Sequence, residues 1–122
     1  MFNARAVFSG FSAPDVEAQR GFYEGTLGLD VSDENGILQL HHPGGGETIV
    51  YPKADHVPAS FTVLNFAVSD IDEAVTELSA KGVEFERYDG FPQDDRGIMR
   101  DNGPSIAWFK DPGGNILSVI EV

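Results

Sequence analysis

The chain repeats itself. Phe11-Ser12-Ala13-Pro14-Asp15-Val16-Glu17-Ala18 lies over Phe66-Ala67-Val68-Ser69-Asp70-Ile71-Asp72-Glu73, and Gly28 lies over Gly82, where two capped segments end. Each half reads as a strand, a capped helix and three further strands. A βαβββ unit of this size cannot bury both its helix face and its sheet face alone. The repeat therefore predicts an α+β fold: two βαβββ repeats forming one curved mixed sheet with helices outside. Residues 1–122 are expected to make a single domain, with repeat units at about 4–53 and 62–122.

Local signals place the elements. Residues 4–12 read as a strand. Asp15 can accept from a free first-turn amide and open a helix to Leu27, with Gly28 in the left-handed position beyond it. Strands follow at 29–33, 37–42 and 47–53, joined by Asn35-Gly36 and Gly44-Gly45-Gly46, both hairpin signals. Residues 54–61 connect to a strand at 62–69. Asp70 then caps a helix, with Glu73 in a capping-box position, and Ile71, Ala74, Val75 and Leu78 form an apolar face at helical spacing. That helix ends at Lys81-Gly82. Strands are expected at 83–88, 105–110 and 116–122, with a long polar loop at 89–103.

Composition narrows the function. The hydrophobic share of 41% and aromatic share of 11% argue against disorder. With 0 cysteines there is no Cys-based zinc site, thiol nucleophile or disulfide framework, which fits a reducing compartment. A net charge of −12 argues against nucleic acid or an anionic membrane as partner and favours a cationic ligand. No apolar run approaches the roughly 20 residues of a membrane span, and the start is a poor signal peptide. The expectation is a soluble, cytoplasmic protein.

The wording of the repeat resembles the vicinal oxygen chelate superfamily of glyoxalases, dioxygenases, epimerases and fosfomycin- and bleomycin-resistance proteins. The residues that carry the resemblance are Pro14-Asp15-Val16-Glu17, Phe22-Tyr23-Glu24 with Leu27-Gly28-Leu29, Val68-Ser69-Asp70-Ile71-Asp72-Glu73-Ala74, Lys81-Gly82-Val83, and Trp108 to Leu117 with its Asp111-Pro112-Gly113-Gly114-Asn115 turn. The resemblance implies a homodimer and a divalent metal held by a His or Glu from each of four strands. Here the matching positions are Phe8, Ile49 or Tyr51, Val63 and Ser118, and none supplies such a ligand. The expectation is therefore no metal and no cofactor, and whether the chain is an enzyme stays open.

An off-pattern metal site from His41 or His42 with Glu47 and His56 is the alternative to histidines simply facing water. Strand parity sets Phe8 and Gly10, Phe61, Val63 and Asn65, and Ile116, Ser118 and Ile120 on one face, with Trp108 beside them and Glu121 turned away. This face reads either as a filled core or as a ligand cleft, and Asn65, taken as a buried amide needing partners, tips the reading to a cleft. Tyr51 and Trp108 suit stacking on a planar or cationic ligand. Arg96 and Arg100 sit in a loop that either closes over the cleft or is solvated. The expected ligand-binding residues are Phe8, Tyr51, Phe61, Val63, Asn65, Arg100, Trp108 and Ser118. The leading reading is a metal-free small-molecule binder, with drug or metabolite sequestration as in bleomycin-resistance proteins. The alternative is a glyoxalase- or dioxygenase-like lyase, isomerase or oxygenase.

Overall fold

The computed structural model describes residues Met1–Val122, which divide into two units, Met1–Val57 and Pro58–Val122. In the first unit, β1 (Ser9–Ala13) leads to α1 (Val16–Arg20), then to β2 (Asp30–Glu34), β3 (Ile37–His41) and β4 (Glu47–Pro52). The four strands make one sheet in the order β1-β4-β3-β2, with β1 parallel to β4 and the other pairs antiparallel. The strand expected at 4–12 begins only at Ser9. Its partner strand starts at Glu47 and Ser9 pairs with Thr48, so residues 4–7 run past the start of β4.

Asp15 caps α1 by accepting from the Ala18 amide at 3.2 Å. The helix keeps its expected length but not its pitch, because Gly21–Thr26 form a π-helical turn in which the Leu27 amide reaches the Phe22 carbonyl at 3.0 Å. The wider turn seats Tyr23, fully buried, against Phe11 and Phe22. Alternation does the rest. Leu38, Leu40 and Val50 are fully buried toward α1, and the other face of the strands carries Gln39, His41 and Ile49. The β2–β3 hairpin turns on Asn35 and Gly36 with φ of 55° and 82°, the pair of positive values that a type I′ turn requires.

The second unit contains β5 (Thr62–Val68), α2 (Ile71–Ala80), β6 (Ile106–Lys110) and β7 (Ile116–Glu121). Here the sheet order is β5-β7-β6, with β5 parallel to β7 and β6 antiparallel to it. Asp70 accepts from the Glu73 amide at 3.0 Å, and the Glu121 carboxylate accepts from the Ile71 amide at 2.9 Å. Two first-turn donors of α2 are thereby satisfied, one locally and one from the last strand. Ile71 and Val75 are buried, with Leu117, Val119, Ala107 and Phe109 completing this core.

The strand expected at 83–88 does not form. One ladder bond survives, from the Glu86 amide to the Trp108 carbonyl at 2.8 Å. The side chain of Gln93 takes the place of a neighbouring strand: its amide donates to the Glu86 carbonyl at 2.9 Å and accepts from the Tyr88 amide at 2.8 Å. The segment is thus pinned by one glutamine rather than by a ladder. The strands form two hydrogen-bonded sheets, one in each unit.

Candidate ligand-binding site

The second sheet has one face covered by α2 and an opposite face that carries Trp108 and Ser118. On β7, Leu117 and Val119 are buried with α2, and Glu121 bonds to the α2 terminus. Parity therefore turns Ile116, Ser118 and Ile120 to the face opposite α2, as the sequence predicts, and Glu121 away from it. Trp108 on β6 and Asn65 on β5 both stand opposite Ser118. The fully buried Ser118 hydroxyl donates to the Asn65 side-chain carbonyl. Asn65 itself is exposed, not buried as expected; it lies on the edge strand β5, where one side of the sheet is uncovered.

A β-bulge between Thr62 and Leu64 shifts the register of β5. The extra residue is Val63, so strict alternation through Phe61, Val63 and Asn65 breaks, and Thr62 comes opposite Ile116. The Thr62 hydroxyl accepts from the Trp108 indole nitrogen at 3.2 Å, which fixes the plane of that ring.

Beside this contact lies an open cleft of about 300 Å³, lined by Phe61, Thr62, Tyr88, Phe91, Trp108 and Ile116. Tyr88, Phe91 and Trp108 form a closed aromatic triangle, each pair of ring centroids 5.5 Å apart and inclined by 62° to 72°. Edge-to-face contacts of this kind hold the rings in fixed orientations. Phe61 remains 68% exposed and Phe91 47% exposed, so apolar ring surface is left facing water. The Tyr88 hydroxyl is the only buried side-chain polar atom without a hydrogen-bond partner. Burial pushes this phenol above its ordinary pKa, and the nearby Glu86 carboxylate adds to the shift.

Of the expected site residues, the cleft contains Phe61 and Trp108, with the Asn65–Ser118 pair on the same sheet face. Val63 sits in the bulge. Phe8 and Tyr51 belong to the first unit, where Phe8 precedes β1 and Tyr51 pairs with Ser12. Arg100 is engaged elsewhere, with Asp72 of α2 at 2.7 Å and Asp94 at 3.4 Å, and Arg96 joins the same Asp72 at 3.4 Å. These pairs tie loop 89–103 to α2 rather than over the cleft. Tyr88 and Phe91 were not anticipated. The signal for them is an aromatic residue on each side of Asp89-Gly90, a turn closed by the Phe91 amide on the Tyr88 carbonyl at 3.1 Å.

The donor set does not fit the metal of the resembling enzymes. Phe8, Ile49 and Val63 have no donor atom, and the Ser118 hydroxyl is committed to Asn65. Nor do the histidines assemble a substitute. His41 lies 2.8 Å from Ser32 and 3.7 Å from Glu47, His42 bonds to the buried Thr48 at 2.7 Å, and His56 bonds to Ser12 at 2.6 Å. No three His, Asp or Glu side chains converge. What the cleft presents is ring faces, ring edges and the Thr62 hydroxyl.

No curated protein matches the chain with statistical significance. Among solved structures, the chain is similar to TnmS3, an antibiotic binding protein from Streptomyces sp. CB03234, at 24% identity and a TM-score of 0.68, covering 98% of both chains. It is also similar to a glyoxalase family protein from Enterococcus faecalis, at 25% identity and a TM-score of 0.69, covering 99% of this chain and 100% of that one. The fosfomycin resistance protein FosX from Listeria monocytogenes shares 10% identity at a TM-score of 0.73, covering 99% and 95%. No helix is long and apolar enough to cross a membrane. A family model matches residues 8–119, and the chain belongs to the Glyoxalase/Bleomycin resistance protein/Dioxygenase superfamily.

Proposed function

We propose that this protein binds and sequesters a planar aromatic small molecule, without a metal and without turnover. The observation that carries the reading is the aromatic cleft, in which three rings are locked edge to face while Phe61 leaves ring surface open to water. A fixed aromatic wall with few polar points suits a flat ligand, because little side-chain entropy is lost on binding. The net charge of −12 adds long-range attraction for a ligand that is also cationic. The antibiotic binding protein among its structural neighbours supports sequestration as the biological use. The same reading has the two units acting as one domain, in a homodimer, inside the cell. Val63 and Asn65 are then secondary contacts, and Arg100 acts only if its ion pairs with Asp72 and Asp94 open.

The test uses Trp108, the chain's single tryptophan, as reporter. Planar aromatic compounds, neutral and cationic, are titrated into protein held in chelator, and indole fluorescence is followed. Saturable quenching that survives the chelator, with the compound recovered unchanged, is expected. Absence of saturation across the set, or conversion of the compound, refutes the reading.

A further inference from the structure

The chain contains two Asn-Gly pairs, Asn35-Gly36 and Asn102-Gly103, and the fold holds them differently. An asparagine followed by glycine is open to attack by the next backbone nitrogen on its own side-chain carbonyl carbon, because glycine has no Cβ to block the approach. Asn35 and Gly36 form the whole two-residue turn between the paired Glu34 and Ile37. The Gly36 amide also donates to the Asp33 carboxylate at 3.1 Å. Ring closure at Asn35 therefore has to break a charge-assisted hydrogen bond and open the end of a hairpin. Asn102 and Gly103 lie in the loop 100–105 that connects Met99 to Ile106, a pair joined by backbone hydrogen bonds of 2.8 and 3.1 Å. Both residues are exposed, and neither enters a hydrogen bond with another protein group. The Gly103 nitrogen is thus uncommitted where the Gly36 nitrogen is held.

We propose that Asn102 is a site of spontaneous covalent modification, converting to aspartate and isoaspartate, while Asn35 is protected by its turn. The Gly103 nitrogen gives up its proton to solvent base and bonds to the Asn102 Cγ. The Cγ–Nδ2 bond breaks, and the side-chain nitrogen takes up a proton and leaves as ammonia. The product is a cyclic succinimide, and water adds to either ring carbonyl and opens it to a carboxylate. In balance one water enters and one ammonia leaves, with no oxidant, reductant or enzyme. The modification adds a negative charge to a loop whose Arg96 and Arg100 pair with Asp72. Where the ring opens to isoaspartate, the main chain is also longer by one atom.

Trypsin separates the two sites. Cleavage after Arg100 and Lys110 frees residues 101–110, cleavage after Arg20 and Lys53 frees residues 21–53, and each peptide carries a single asparagine. Folded protein and protein unfolded in guanidinium chloride are incubated side by side in mildly alkaline buffer. Amide loss in each peptide is followed by mass and by chromatographic separation of the aspartate and isoaspartate forms. The expected ratio of unfolded to folded rate is about one at Asn102 and about tenfold or more at Asn35, the value of a hydrogen bond to a charged acceptor. Asp33→Ala removes that acceptor and should lower the ratio at Asn35 while leaving Asn102 unchanged. Asn102→Gln, whose longer side chain closes a less favourable ring, should abolish the change in peptide 101–110. If Asn102 is protected as strongly as Asn35, or if both react at their unfolded rates, the assignment is overturned.

Discussion

Replacing Glu121 tests how the second half is held together. Its carboxylate accepts from the Ile71 amide at 2.9 Å, and Ile71 is fully buried at the first turn of α2. Asp70 already accepts from the Glu73 amide, so it does not stand in at Ile71. In Glu121→Gln a neutral carbonyl still accepts, and only the charge near the helix N-terminus is lost, about 0.5 kcal/mol. In Glu121→Ala the amide is left enclosed and unpaired, for a total of about 2 kcal/mol. With a urea slope of about 2 kcal/mol per molar, the midpoints should fall by about 0.25 M and 1 M. Trp108 fluorescence follows this unit directly. Ligand affinity should not change, because Glu121 lies on the α2 side of the sheet. Equal losses in the Gln and Ala variants would show that the hydrogen bond contributes nothing and that this account of the α2 terminus is wrong.

Other consequences are as open to measurement. Leu117→Ala, at a fully buried position under α2, should cost about 3 kcal/mol in urea unfolding, whereas Thr62→Ser, which keeps the acceptor for Trp108, should cost less than 1 kcal/mol. Acid should release loop 89–103 from α2. The Arg100 hydrogen bond holds the Asp72 carboxyl below its ordinary 3.8; at Asp94 burial pushes upward, but the Ile98 and Arg96 amides and Arg100 outweigh it. Both carboxyls have folded values below their unfolded ones, so their contribution is complete above 3.8 and is lost as pH falls through the lower folded values. Amide exchange in residues 94–100 should accelerate there, and added salt should produce part of the same effect at neutral pH. Unchanged exchange in both conditions would show that the arginines do not hold the loop.

Much of the architecture is readable in the linear chain. Asp15 and Asp70 cap their helices through their own side chains, Asn35-Gly36 needs only its own backbone preferences, and the alternation of Leu38, Leu40, Val50 with Gln39, His41 and Ile49 follows from strand pleating. Residue type alone also shows that Phe8, Val63 and Ser118 are not the His or Glu of the resembling enzymes. The site was half visible. Phe61 and Trp108 line the cleft, and Ser118 turns away from α2 as alternation along β7 requires, but Val63 did not stay in step, and Arg100 went to Asp72.

The physical division is one of range. Caps, tight turns and alternation are decided by neighbours a few residues apart, so the repeat and its α+β pattern are already determined in the linear chain. The bulge at Thr62, the replacement of a ladder by the Gln93 side chain, and the meeting of Tyr88 and Phe91 with Trp108 depend on partners distant in the chain. A polar side chain there competes with backbone for the same carbonyls and amides, and only the folded packing sets which wins. The cleft is a product of that competition.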